Sequence, residues 1–149
     1  ESSTTTEILP GVVLSGTIPR TNEYEDVGGP FFLDEAGSVP DPMADEQALF
    51  LRSRQGWIAV LGCAHPGLVN TLDYLRSLDP DTPIAAVIGG FHLLNASSER
   101  LRRTIEFLKN IRVPRLITGH CTGDHAFHEL THKLPAATRP LHVGHSWSW

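Results

Sequence analysis

The chain has 149 residues, enough for one domain with a sizeable core, and its net charge of −5 with His neutral argues against a basic surface for nucleic acid. Apolar residues make up 40% and charged residues 19%, an ordinary soluble composition, and no apolar run approaches the roughly 18 residues of a membrane span. Two cysteines, Cys63 and Cys121, make no disulfide framework; they read as thiols of a reducing, cytoplasmic compartment, with one bridge between them as the alternative.

The chain begins with the polar run Glu1-Ser2-Ser3-Thr4-Thr5-Thr6 and no Met, so residue 1 is not expected to be a natural start. Residues 1–10 read as a polar tail or an edge segment, and Val12-Val13-Leu14 as a short strand between Gly11 and Gly16. From Asn22 to Pro42 the sequence is loop-like, punctuated by Gly28, Gly29, Pro30, Gly37, Pro40 and Pro42. A loop of that length is usually functional or mobile. Phe31, Phe32, Leu33 and Met43 make it apolar enough to cover a cleft, or simply to pack on the edge of the core.

Ala48–Leu51 and Trp57–Leu61 flank Ser53-Arg54-Gln55-Gly56 and predict a β-hairpin. Leu68, Val69, Leu72, Leu75 and Leu78 follow helical spacing, ended by Pro80 and Pro83. Ile84 to Ile88 is a continuous apolar run, as expected for a strand covered on both faces. Ser97 or Ser98 caps a second helix with Leu101, Ile105, Leu108 and Ile111 along one stripe, while Arg100, Arg102, Arg103 and Lys109 are expected mostly in solvent. A strand at Arg115–Thr118, a helix from Asp124 to Leu134 and a last strand at Leu141-His142-Val143 complete a single α/β unit spanning residues 1–149.

Three of these elements hand over in the same way. Val60-Leu61-Gly62-Cys63-Ala64-His65, Ile88-Gly89-Gly90-Phe91-His92 and Ile117-Thr118-Gly119-His120 each end an apolar run in glycine, followed by a histidine. The histidines are separated by about one strand–helix–strand unit. If the three strands are parallel neighbours, all three imidazoles emerge at the carboxyl edge of the sheet, where ligands of open α/β sheets bind. Three neutral imidazoles can hold one ion and leave a position open for water. Cys63 lies two residues before His65, and on an extended segment the two point the same way, so its thiolate is a candidate fourth ligand.

The other histidines are weaker candidates. His128-Glu129-Leu130-Thr131-His132 satisfies the H-E-x-x-H pattern, but the C-terminal half of this helix should point away from the strand edge. Thr122 or Asp124 is expected to cap the last helix, whose N-terminus is also a plausible anion site with Thr122 as a substrate contact. Arg20 is a candidate bidentate contact for a phosphate or carboxylate.

Gly62-Cys63-Ala64-His65-Pro66-Gly67, Gly89-Gly90-Phe91-His92-Leu93 and Gly119-His120-Cys121-Thr122-Gly123 together resemble the metallo-β-lactamase fold superfamily. The match is to the branch often labelled dihydropterin-ribofuranosylaminobenzene-phosphate synthase-like. Ser15-Gly16-Thr17-Ile18-Pro19-Arg20 and Asp45-Glu46-Gln47-Ala48-Leu49 support it. The resemblance implies an αββα sandwich, a mixed sheet with flanking helices, and one or two ions at the sheet edge, usually zinc, with manganese or iron as alternatives. It makes His65, His92, His120 and Cys63 the metal-ligand candidates, Gly119-His120 being the last metal motif and Cys63 standing where many members carry a bridging Asp.

The superfamily's main motif, H-x-H-x-D-H, is absent, so the resemblance covers only the C-terminal half of a sandwich. The implied function is a metal-dependent hydrolase whose activated water attacks an ester, lactone, amide or phosphoester of a small-molecule substrate. Full activity would need a complementary N-terminal half or a second copy of the chain. The alternative is a non-catalytic metal-binding or assembly subunit, with a redox role for Cys63 and Cys121 as a third reading.

Overall fold

The computed structural model describes residues 3–149, except the side chain of His120. Seven strands form one sheet in chain order: β1 Thr6–Leu9, β2 Val12–Leu14, β3 Ala48–Ser53, β4 Gly56–Leu61, β5 Ile84–Gly89, β6 Leu116–Thr118 and β7 Thr138–Pro140. The first four pair antiparallel, and β4 through β7 pair parallel. The first segment is thus an edge strand. The expected hairpin is present, with Ser53 paired to Gly56, so only Arg54 and Gln55 make the turn.

The helices α1 Leu68–Leu78, α2 Ser98–Asn110 and α3 Asp124–Lys133 occupy the three crossovers between parallel strands. Successive right-handed crossovers that advance in one direction must place their helices on one side. The core bears this out: Leu68, Leu72 and Leu75 of α1, Leu101, Ile105 and Leu108 of α2, and Ala126 and Leu130 of α3 share one cluster with Phe50, Ala59, Val87 and Leu116 of the sheet. Those four sheet residues are paired neighbours across β3 to β6, so they lie on one face.

The opposite face carries a second paired row, Leu14, Leu49, Val60, Ile88 and Ile117, with Val12, Leu51, Ile58 and Ala86 beside it. None of these residues belongs to the helix-covered cluster, and Leu14, Leu49, Val60 and Ile88 are only half-buried. The fold is therefore one mixed sheet with its three helices on one side.

Three expectations are corrected. The last strand is Thr138–Pro140 and not Leu141–Val143, whose residues are exposed. Proline is tolerated at Pro140 because β7 is an edge strand, where an N–H need not enter a ladder. Neither Thr122 nor Asp124 caps α3: Gly123 is the cap residue, with no side-chain bond. Arg100, expected in solvent, is 1% exposed. Ser97 does cap α2 by accepting the Arg100 N–H. Among the described residues no helix is long and apolar enough to cross a membrane.

Candidate functional site

The strands β4, β5 and β6 are parallel neighbours, so their three glycine turns leave the sheet side by side. Backbone bonding continues past the strand ends: Gly90 N–H donates to the Gly62 carbonyl at 2.8 Å and Gly119 N–H to the Gly89 carbonyl at 2.6 Å. This brings the His65 and His92 rings to a centroid separation of 4.2 Å. His120 opens a single 3-10 turn, His120–Thr122, at the same edge; its side chain lies outside the described residues.

Glu46, which precedes β3, organises the first turn. Its carboxylate accepts the N–H groups of Cys63 at 3.1 Å, Ala64 at 2.6 Å and His65 at 2.8 Å, and faces His65 Nδ1 at 2.5 Å. Ala64 sits at φ 63, so Cys63 and His65 are not on an extended segment, and the period-two argument for aligning them fails. Glu46, Cys63 and His65 instead line a shallow groove of about 260 Å³ with Met43 and Asp45.

Cys121 reaches the same turn from the far side, its thiol donating to the Cys63 carbonyl at 3.4 Å. Burial pushes the Cys121 thiol up to about 11, with the neighbouring Cys63 thiol adding to the effect. Only the thiolate is nucleophilic, so at about pH 8 Cys121 should alkylate roughly 100-fold more slowly than an unperturbed thiol. Its rate should keep rising with pH toward about 11, which peptide mapping of iodoacetamide-treated chain would read out. A Cys121 as reactive as a free thiol at that pH would contradict the burial.

The segment between Arg20 and Pro42 lies over the histidine pair and is pinned at several points. The Arg20 guanidinium donates to the backbone carbonyls of Glu25 (3.4 Å), Pro42 (3.2 Å) and His65 (2.7 Å). Glu25 is 5% exposed and accepts the N–H groups of Val69 and Asn70, a carboxylate at the positive end of α1. Arg100 Nη1 holds both the Asp26 carboxylate, at 2.7 Å, and its carbonyl, at 3.2 Å. Gly28, at φ 75, lies so close to His92 that a Cβ there would stand 2.2 Å from the ring Cδ2 and Nε2. The Phe31 ring meets His65 edge-on at 5.5 Å. Of the apolar residues expected to cover a cleft, Phe31 meets a site histidine, although it is exposed like Phe32 and Leu33.

His92 has a buried Nδ1 with no hydrogen-bond partner among the described residues. Burial, then the nearby His65 and Arg100, hold its pKa below the ordinary histidine value, against a smaller opposing effect of the Gly28 backbone. The neutral imidazole, the form that ligates metals, is favoured. Thr122 is 2% exposed and its hydroxyl accepts the Phe91 N–H at 3.3 Å, so it braces the second turn from inside. His125, His128 and His132 are exposed along α3, as expected for a surface face.

Among the described residues no group of three or more His, Cys, Asp or Glu side chains is placed to hold an ion. The orphaned His92 nitrogen beside His65 fits a nitrogen-ligated metal in kind and falls short in number of donors.

No family model matches the chain. It is similar to a 7,8-dihydropterin-6-methyl-4-(β-D-ribofuranosyl)-aminobenzene-5′-phosphate synthase of Methanocaldococcus jannaschii, 33% identical over 141 residues, 92% of this chain and 48% of the relative. An uncharacterised protein of the same organism is 31% identical over 120 residues, 80% of this chain and 43% of that one. A crystal structure described as a metal-dependent hydrolase of the β-lactamase superfamily superposes with a TM-score of 0.84 at 27% identity, covering 95% of this chain and 54% of that one. The chain belongs to the metallo-β-lactamase fold superfamily. It spans about half the length of the curated relatives it matches. Within the superfamily its likeness is to the synthase branch, as the three glycine–histidine turns imply.

The residues that pattern alone did not single out are Glu46, Glu25 and Arg100. Glu46 carried one signal, an acid pair Asp45-Glu46 directly before a strand. Arg100 carried none, since one arginine among several on a helix does not announce that it faces inward.

Proposed function

We propose that the chain forms half of a metal-dependent hydrolase, with His65, His92, His120 and Cys63 as its contribution to a metal centre at the carboxyl edge of β4 to β6. The observation that carries this is the contact of two imidazoles from separate strand ends, one with its Nδ1 held by a carboxylate and the other with a buried Nδ1 that has no partner among the described residues. Zinc suits such nitrogen and sulfur donors, with manganese or iron as alternatives. When bound, the ion supplies Lewis acidity and a water-derived nucleophile near neutral pH. The chain's own residues orient the ligands, and the loop over them limits access of bulk water.

The remaining ligands would come from a complementary half, either another chain or a second copy of this one. The half-buried row Leu14, Leu49, Val60 and Ile88 is the surface it would cover. The substrate is read as a small-molecule ester, lactone, amide or phosphoester. The archaeal relative's name makes a pterin or ribosyl-phosphate compound the first to try. A non-catalytic metal-binding or assembly subunit is the second reading, favoured by the absence of the H-x-H-x-D-H motif from this sequence.

Elemental analysis of purified chain, with native mass measurement, tests the proposal. At least one ion per chain is expected, and His65→Ala should lose it together with at least about 100-fold in any metal-dependent phosphodiester or ester hydrolysis. Full metal content in His65→Ala would remove His65 from the centre. Metal without turnover, even beside a supplied N-terminal half, would favour the subunit reading.

A further inference from the structure

We infer that Glu46 is a positioning residue that sets which nitrogen of His65 is available to a ligand. The carboxylate offers only acceptors, and it receives three consecutive backbone N–H groups, from Cys63, Ala64 and His65, through its two oxygens. The Oε2 atom that takes the His65 N–H also faces His65 Nδ1 at 2.5 Å. An acceptor at that distance requires a proton on Nδ1. In the neutral ring the other nitrogen, Nε2, then carries the lone pair, and it has no hydrogen bond among the described residues.

The same carboxylate fixes the backbone that carries the ring. Ala64 at φ 63 is a conformation a residue with a Cβ adopts at a cost, and the three converging N–H bonds hold the turn there. Ring orientation and tautomer are therefore set by one side chain. His65 and Glu46 are each about one-sixth exposed, which shelters the bond from competing water. A histidine ligand whose remote nitrogen is bonded to a carboxylate is both oriented and made more basic toward its ion. The significance for a metal rests on the proposed function; the tautomer does not.

The substitution Glu46→Gln separates orientation from size. Glutamine keeps the shape; with its oxygen on the Cys63 and Ala64 N–H groups, the orientation that keeps two bonds of the turn, its N–H₂ faces the His65 N–H and Nδ1, so the His65 N–H bond is lost and the proton is favoured on Nε2. The experiment is a long-range proton–nitrogen correlation spectrum of metal-free full chain at neutral pH, with His65 assigned from its loss in His65→Gln. Wild type should show Nδ1–H, and Glu46→Gln should shift His65 toward Nε2–H with the remaining histidines unchanged. A residue that merely braced the turn would leave the tautomer where it was.

Zinc affinity of Glu46→Gln should fall by about 10- to 100-fold. Wild-type His65 protonated at Nε2, or a folded Glu46→Gln with the wild-type pattern, would overturn the inference. If Glu46→Gln does not fold, the wild-type spectrum decides alone. A tautomer switch with zinc affinity unchanged in both Glu46→Gln and His65→Ala would uphold the orienting role and remove His65 from the metal centre.

Discussion

Gly89→Ala should remove a large part of the chain's stability, at a cost of about 4 kcal/mol against a total of about 5–15 kcal/mol for a domain. Two costs act together. Gly89 has φ 134, a region that side chains with a Cβ rarely adopt, and the added Cβ would stand 2.2 Å from the Leu61 carbonyl oxygen and 2.9 Å from its carbon. That oxygen is backbone of the adjacent parallel strand, so relief requires β4 and β5 to separate where the two histidine turns begin. Gly90 is tight for a different reason: a Cβ there would lie 2.3 Å from Cys121 Sγ and 2.8 Å from the Gly62 carbonyl oxygen. The thiol can rotate away but the carbonyl cannot, so Gly90→Ala should cost less, about 2 kcal/mol, while displacing the site. Urea unfolding of the two variants checks the order, and a Gly89→Ala chain within about 1 kcal/mol of wild type would show that the strands are less closely held than described.

The second large effect is expected at a residue that its exposure would dismiss. Asp26 has a side chain 76% exposed, and an exposed aspartate replaced by alanine ordinarily changes stability by no more than about 0.5 kcal/mol. Here its partner is Arg100, 1% exposed, whose Nε and Nη2 already lack partners among the described residues. Removing the carboxylate leaves a buried guanidinium with one backbone carbonyl, so Asp26→Ala should cost about 3 kcal/mol. Arg100→Met removes the buried charge while keeping most of the volume and should fall within about 1 kcal/mol of wild type.

The double variant should resemble Arg100→Met alone, a strong coupling measurable as a double-mutant cycle in urea. Additive effects, or a neutral Asp26→Ala, would mean that the ion pair does not hold the loop. Because Gly28 N–H also bonds the Asp26 carboxylate at 2.8 Å, the same variant should loosen the loop segment lying against His92. Hydrogen exchange at Gly28 would report that without reference to any activity.

The sequence by itself determined the alternation of elements, because each has a local cause. A continuous apolar run marks Ile84–Gly89, a 3.6-residue stripe marks Ser98–Asn110, and Ser97 caps it. It also determined that three glycine–histidine turns follow three strands, and hence the family, since those motifs occur in contiguous residues. It erred where partners are distant in the chain. Thr138–Pro140 pairs with Leu116–Thr118 although only Thr138 among its residues favours a strand, because a sheet edge supplies the hydrogen bonds that propensity does not. Arg100 faces inward because Asp26 comes to it across 74 positions of chain.

Only the tertiary structure decided that β4, β5 and β6 are adjacent, that the loop from Arg20 to Pro42 closes over their histidines, and that Glu46 takes the His65 ring. Each depends on backbone paths brought together by long-range packing, and a carboxylate 19 residues away in sequence carries no local mark of the imidazole it will orient.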